Sequence, residues 1–321
     1  MGTKTNKNTI SYLLLIFTMI FWGSAFTGAK LVVGQVPPEV GAFLRFGFGA
    51  VFMFLLLLSR KTGRKDAASI GKKYWIPIIL LGITGVALYN LCFFWGVQYS
   101  FASDGSSIVP TISPVVTTIL AIFFLKNKLT KFQIIGLIIC LIGAAIYFIG
   151  MNHHGNDASH RLLGNLFFLT CALCWGTYTI LGNKVLTTLK PLPVTAYATL
   201  IGAIILGLLS LPKMVNIAWG QLGIDFWLLQ IYLGFFCTAL ANWFYSLGVK
   251  HIGASKASTF MYFVPINGLW ISMVFLQESL TTLQFIAIPT MLIGVWFVNK
   301  KTAKQNILPK QTIKIETTSI K

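Results

Sequence analysis

Ten predominantly apolar runs, most of about twenty residues, follow one another along the chain with only short polar breaks between them. A run of that length crosses the roughly 30 Å hydrocarbon core of a bilayer as a helix. Inside lipid every backbone N–H and C=O must find its partner within the protein, so only helices or closed barrels can span. The runs are continuously apolar and lack the alternation of an outer-membrane barrel strand. The predicted fold class is therefore an all-α polytopic membrane protein.

The first five predicted spans are Ile10–Val33, Val40–Leu58, Trp75–Val97, Ser103–Leu125 and Phe132–Gly150. The next five are Leu163–Leu186, Val194–Leu211, Phe226–Val249, Ala254–Leu276 and Leu283–Asn299. Composition agrees, since a chain that is 56% hydrophobic and 10% charged cannot hide its apolar residues in a water-soluble globule of this size. The first run follows a polar tail holding Lys4 and Lys7 and is too long for the apolar core of a cleavable signal, so it is read as a retained helix.

The chain repeats itself. Phe21-Trp22-Gly23-Ser24 returns as Cys174-Trp175-Gly176-Thr177, and Val40-x-Ala42-Phe43 as Val194-x-Ala196-Tyr197. Ala87-Leu88-Tyr89-Asn90 is answered by Ala239-Leu240-Ala241-Asn242, and Pro114 through Leu129-Thr130-x-x-Gln133 by Pro265 through Leu280-Thr281-x-x-Gln284. The expected organisation is one five-helix repeat over residues 1–150, a second over 151–300, and a disordered basic cytoplasmic tail over 301–321. Five is odd, so two homologous units in one chain must lie in opposite orientations across the bilayer. Ten transmembrane helices arranged as two inverted five-helix repeats imply alternating access to a site near the midplane.

Charge places the loops. With the amino terminus inside, twenty-one of the 25 Lys and Arg residues fall on the cytoplasmic side, and only Lys30, Arg161 and Lys213 on the other, with Arg45 inside a span. Both termini are then cytoplasmic, in a cell (plasma) membrane protein. The net charge of +18 is scattered over short loops and does not form a nucleic-acid-binding face; its expected partners are anionic membrane lipids. The pattern specifies no oligomeric state.

Phe21-Trp22-Gly23-Ser24-x-Phe26, Leu44-Arg45-Phe46, Ala254-Ser255-Lys256-Ala257-Ser258 leading to Val264-Pro265, and Gln277-Glu278-x-Leu280-Thr281-x-x-Gln284 together resemble the drug/metabolite transporter superfamily, in particular its EamA-type members. The resemblance runs from about Ile10 to Val298 and departs at Lys126-Asn127-Lys128, where the first half lacks the acid that Glu278 supplies in the second. It implies a ten-helix exporter or exchanger of small metabolites such as amino acids or drugs. Its cavity would be lined mainly by spans one, three, four, six, eight and nine.

The candidate substrate-binding residues are Trp22, Asn90, Ser106, Pro110, Trp175, Tyr178, Asn242 and Pro265. Prolines remove backbone donors and bend helices, and the hydroxyls of Ser106, Ser107, Thr111 and Ser113 near them suit a polar cavity wall, as does Asn267. Asn90 and Asn242 either face the cavity or bond between helices. Trp22, Trp175 and Tyr178 either stack on substrate or pack the interior. Arg45, unpaired in a span, would snorkel outward, bind carbonyls, meet a carboxylate or attract an anionic substrate group. Glu39 is a poor partner for it by helical geometry, and snorkelling weighs more for Lys30 and Lys184 than for Arg45.

No carboxylate falls at the midplane, which favours facilitated movement or exchange over proton antiport, with Glu39 and Glu278 as fallback proton carriers. Cys171-x-x-Cys174 and the other cysteines read as small buried side chains, and His153, His154 and His160 with Asp157 as a solvated loop. Gly82-x-x-Gly85 and Gly202 with Gly207 read as helix-packing positions. There is no Walker, HExxH or GxSxG sequence, so no enzyme activity, catalytic residue, cofactor or metal is expected. The alternative function is a lipid scramblase or lipid-directed membrane enzyme, suggested by the lysine-rich inner face.

Overall fold

The structure is a computed structural model that describes residues 2–59, 61–68, 70–125, 130–150 and 158–299. Lys126, Asn127 and Lys128, the histidine-loop residues His153, His154 and Asp157, and the basic tail 301–321 lie outside the described residues.

The described residues are helical almost throughout. The first repeat contributes α1 (Gly2–Val33), α2 (Pro38–Ser59), the short α3 (Lys61–Ala68), α4 (Trp75–Leu81), α5 (Tyr89–Tyr99), α6 (Ala102–Leu125) and α7 (Lys131–Ile149). The second contributes α8 (Ala158–Leu186), α9 (Pro191–Met214), α10 (Ile224–Tyr232), α11 (Ala241–Ile252), α12 (Ala254–Thr259), α13 (Phe263–Leu276) and α14 (Thr282–Asn299). Six stretches are long and apolar enough to cross a membrane: Thr9–Val33, Pro38–Ser59, Lys72–Tyr99, Ser159–Leu186, Pro191–Met214 and Ile224–Ile252. Phe123, Trp270, Phe275 and Phe285 stand well exposed on the outside of the bundle. Large apolar residues facing outward in such number suit contact with lipid tails.

Two matching irregularities interrupt the rods. α4 passes into α5 through a π-helical stretch, Gly82–Leu88, and α10 into α11 through another, Leu233–Leu240. A π turn shifts the register of carbonyls against side chains and is frequent at functional sites. Immediately after each comes an asparagine pair-mate, Asn90 or Asn242.

The prolines act differently in the two repeats. Pro110 and Pro114 remain inside one unbroken α6. In the second repeat the chain breaks into α12 and α13 at a 3-10 turn, Phe260–Tyr262, and Pro265 sits in the first turn of α13, where its missing N–H would have had no partner. The expected polar wall along span four is also corrected. Ser106, Ser113 and Thr117 donate to carbonyls of their own helix, at Ser103, Val109 and Ser113. These hydroxyls compensate the helix from within.

Packing pairs the repeats. α1 lies against α13 and α11, α8 against α6 and α5, α2 against α9 and the second π stretch, α9 against the first π stretch, and α7 against α14. Exchanging every element for its counterpart leaves this set of pairings unchanged. Close approach depends on the glycine of the repeated Trp-Gly motif. A Cβ at Gly23 would fall 2.8 Å from Asn267 Cβ on α13, and one at Gly176 would fall 2.5 Å from Val116 Cγ1 on α6.

Candidate functional site

The Trp-Gly motifs of the two repeats meet at the centre. Trp22 and Trp175 stand edge to face with ring centroids 5.0 Å apart. Tyr245 closes a triangle on them, at 5.1 and 5.3 Å, and Tyr89 contacts Trp175 at 5.5 Å. Aromatic rings attract in these offset and edge-on geometries. The Trp22 indole Nε1 donates to the Cys237 carbonyl at 3.2 Å, and the Cys237 thiol donates to the Phe21 carbonyl at 3.0 Å. The second π stretch is thus bonded directly to the motif on α1.

Beside this knot is a cavity bordered by Trp22, Phe26, Arg45, Tyr89, Asn90, Phe93, Pro110, Trp175, Asn242, Met261 and Val264, among others. Its free volume of about 40 Å³ holds a few waters and no metabolite. The rings leave little free space between them in this conformer. The cavity wall mixes residues of both repeats, is strongly aromatic, and contains no Asp or Glu.

Five of the eight predicted site residues come together here: Trp22, Asn90, Pro110, Trp175 and Asn242. The other three do not reach the wall. Tyr178 stands one layer back, its ring held where a Cβ at Gly85 would fall 2.0 Å from it. Ser106 packs on Gly268 of α13, and Pro265 is buried beside the cavity-lining Val264.

The asparagines make no hydrogen bond between helices among the described residues. Asn90 Nδ2 donates to the Val86 carbonyl one turn back at 2.8 Å, which leaves its buried Oδ1 without a partner. Asn242 lines the cavity half-buried.

Of the alternatives open for Arg45, the structure does not show snorkelling. The residue is 5% exposed and lines the cavity, with Nε donating to Thr238 Oγ1 at 3.1 Å. Its guanidinium carbon lies 5.4 Å from the ring centres of both Phe46 and Phe93. Lys30 also turns inward, donating to the carbonyls of Val97 and Ser100 at the carboxyl end of α5. Cations are favoured where the last carbonyls of a helix lack partners. Its counterpart Lys184 is exposed, with its ammonium 5.8 Å from the Phe124 ring centre.

The sequence reading missed a network at the Lys30 end of the bundle. Asp104, fully buried near the start of α6, receives Arg161 Nε at 2.7 Å and the other arm of the same guanidinium at 2.8 Å. Tyr147 donates to it at 2.8 Å and Ser100 at 2.7 Å. Glu278 accepts the backbone N–H groups of Ala102 and Ser103 at 2.9 and 2.8 Å, capping α6. It reaches them because Gln277 ends α13 in the left-handed conformation, φ 54°. Part of the sequence signal was available, since Arg161 was one of three cations assigned to that side.

Membrane-length helices packed around a largely aromatic central cavity define an integral membrane protein. The chain belongs to the EamA-like transporter family, which it matches twice, over residues 9–149 and 162–300. It is a transporter of a small-molecule substrate and not an enzyme. It is 31% identical to the uncharacterized transporter YyaM of Bacillus subtilis (strain 168), across 83% of this chain and 86% of that one. It is 27% identical to an uncharacterized transporter of Archaeoglobus fulgidus, across 90% and 99%. A probable terminal-alkyne amino-acid exporter of Streptantibioticus cattleyicolor is 26% identical across 90% and 93%. A solved crystal structure shares the fold with a TM-score of 0.66, covering 91% of this chain and 96% of its own at 17% identity.

Proposed function

We propose that the protein is a secondary, non-ATP transporter that exports or exchanges small amphipathic metabolites, amino acids or drugs among them, by alternating access. The observation that carries this reading is the aromatic cavity lined jointly by the two repeats, with Trp22 and Trp175 in contact beside it. In this reading ten transmembrane helices form two inverted units, residues 1–150 and 151–300, followed by a cytoplasmic tail; the exchange-symmetric helix pairing supports the two-unit arrangement. In such an arrangement the two ends close in turn. The buried Asp104–Arg161 pair and the Glu278 cap then serve to hold the Lys30 end together. In this reading both termini are cytoplasmic in a plasma membrane protein, which the distribution of basic residues supports, and anionic lipids meet its basic face. The amino-acid exporter among its relatives is consistent with this substrate range.

With Glu278 used as a helix cap and no acid on the cavity wall, exchange or facilitated movement is favoured over proton antiport. Protein reconstituted into liposomes should release a preloaded substrate with saturable, competable kinetics. Flux that rises linearly with concentration and ignores competitors, or movement of labelled lipid in its place, refutes the transporter mechanism.

A further inference from the structure

Arg45 is the one cation on the cavity wall, and nothing on that wall neutralises it. Among the described residues its only hydrogen bond runs from Nε to Thr238, and its two terminal amino groups have no acceptor. The flanking Phe46 and Phe93 rings offset part of the cost of a buried charge. They supply no counter-ion for it.

Packing does not require the guanidinium. The repeat alignment of Val40-x-Ala42-Phe43 with Val194-x-Ala196-Tyr197 puts Thr199 in the place of Arg45. Thr199 is fully buried, its hydroxyl 3.9 Å from the Met53 sulfur on α2, and carries no charge. The protein therefore carries a charge on one side of a duplicated contact where a neutral residue fills the other.

We infer that Arg45 is a carboxylate-binding residue, and that the transported solute is a monocarboxylate with a flat or apolar body seated on Trp22 and Trp175. This rests on the transporter reading above. A planar guanidinium offers parallel N–H donors that match a carboxylate in a fork, and a single positive charge suits a single negative one. The unpartnered Oδ1 of Asn90, on the same wall, adds an acceptor for an N–H or O–H on that solute. Entry requires the Trp22–Trp175 contact to part, since the cavity is too small for such a molecule.

The test uses the full-length protein in detergent, with phenylacetate and its neutral isostere phenylacetamide as probes and tryptophan fluorescence as the readout. Wild type should bind the carboxylate at least 10-fold more tightly than the amide. Arg45→Gln should bring the two within about 2-fold, and Arg45→Lys should keep the preference at weaker affinity. Equal binding of the two probes by wild type, or no binding of either, overturns the assignment whatever the variants do. An undiminished carboxylate preference in a folded Arg45→Gln also overturns it. The liposome flux measurement separates this from the function: saturable flux confined to neutral solutes leaves a transporter without the carboxylate site.

Discussion

The two ends of the bundle hold their charges in opposite ways. At the Lys30 end, Asp104 is fully buried and held by Arg161, Tyr147 and Ser100, while Glu278 caps α6. At the other end, Asp66 meets Lys190 at 2.9 Å with side chains 24% and 59% exposed, and Ser11 bonds His251 near the surface. A pair open to water contributes little, whereas removing one partner of a buried pair strands a charge. The repeat alignment shows the asymmetry in sequence too: Pro114 on Pro265 sets Asp104 opposite Ser255 and Glu278 opposite Asn127. The charges at the Lys30 end are therefore buried and multiply bonded, and the repeat positions that correspond to Asp104 and Glu278 carry no acid.

The sharpest way to break that contrast is Asp104→Asn, which leaves Arg161 without its carboxylate. It should cost about 3–5 kcal/mol of stability, read as a large fall in thermal midpoint and as new labelling of cysteines placed at the Lys30 end; an unchanged midpoint would show that the network does not hold the bundle.

Glu278→Ala should come next, because it leaves two buried N–H groups of α6 without an acceptor, a loss of about 2 kcal/mol. The same melt measures it, and Glu278→Gln, which keeps one acceptor oxygen, should lose less. Third is Gly23→Ala. The added methyl meets the backbone of α13, with Gly268 N at 3.0 Å and Val264 O at 3.2 Å. Overpacking of this kind costs about 1–3 kcal/mol, partly offset by the better helix propensity of alanine. Gly176→Ala should cost about as much, since its methyl would fall 2.5 Å from Cγ1 and 3.0 Å from Cβ of the stiff, β-branched Val116. Smallest of all is Lys190→Ala, expected within about 1 kcal/mol of wild type; a fall matching that of Asp104→Asn would erase the difference between the ends.

Much of the cavity was legible because duplication marks it. Trp22 with Trp175 and Asn90 with Asn242 were found as repeated pairs, and a polar amide in an apolar run has few reasons to be there. The family match over both halves bears out the duplication and the resemblance. Ser106, Tyr178 and Pro265 were chosen by the same proximity to motifs, yet rotation about a helix decides which side of a wall a residue occupies. That rotation depends on neighbours the run of letters does not name. The π stretches were invisible for a related reason, since one extra residue per turn leaves no compositional trace.

From its letters alone this chain determined that it belongs in lipid, that it is helical, and that it is built twice, because run length, hydropathy and repetition are properties of the chain itself. Tertiary structure alone decided where the lone charges went. Arg45 faces a cavity instead of the surface, Lys30 holds the carbonyl end of α5, and Asp104 meets Arg161 from another helix. Burial and counter-charge are relations between segments distant in sequence, and they exist only once the helices have packed.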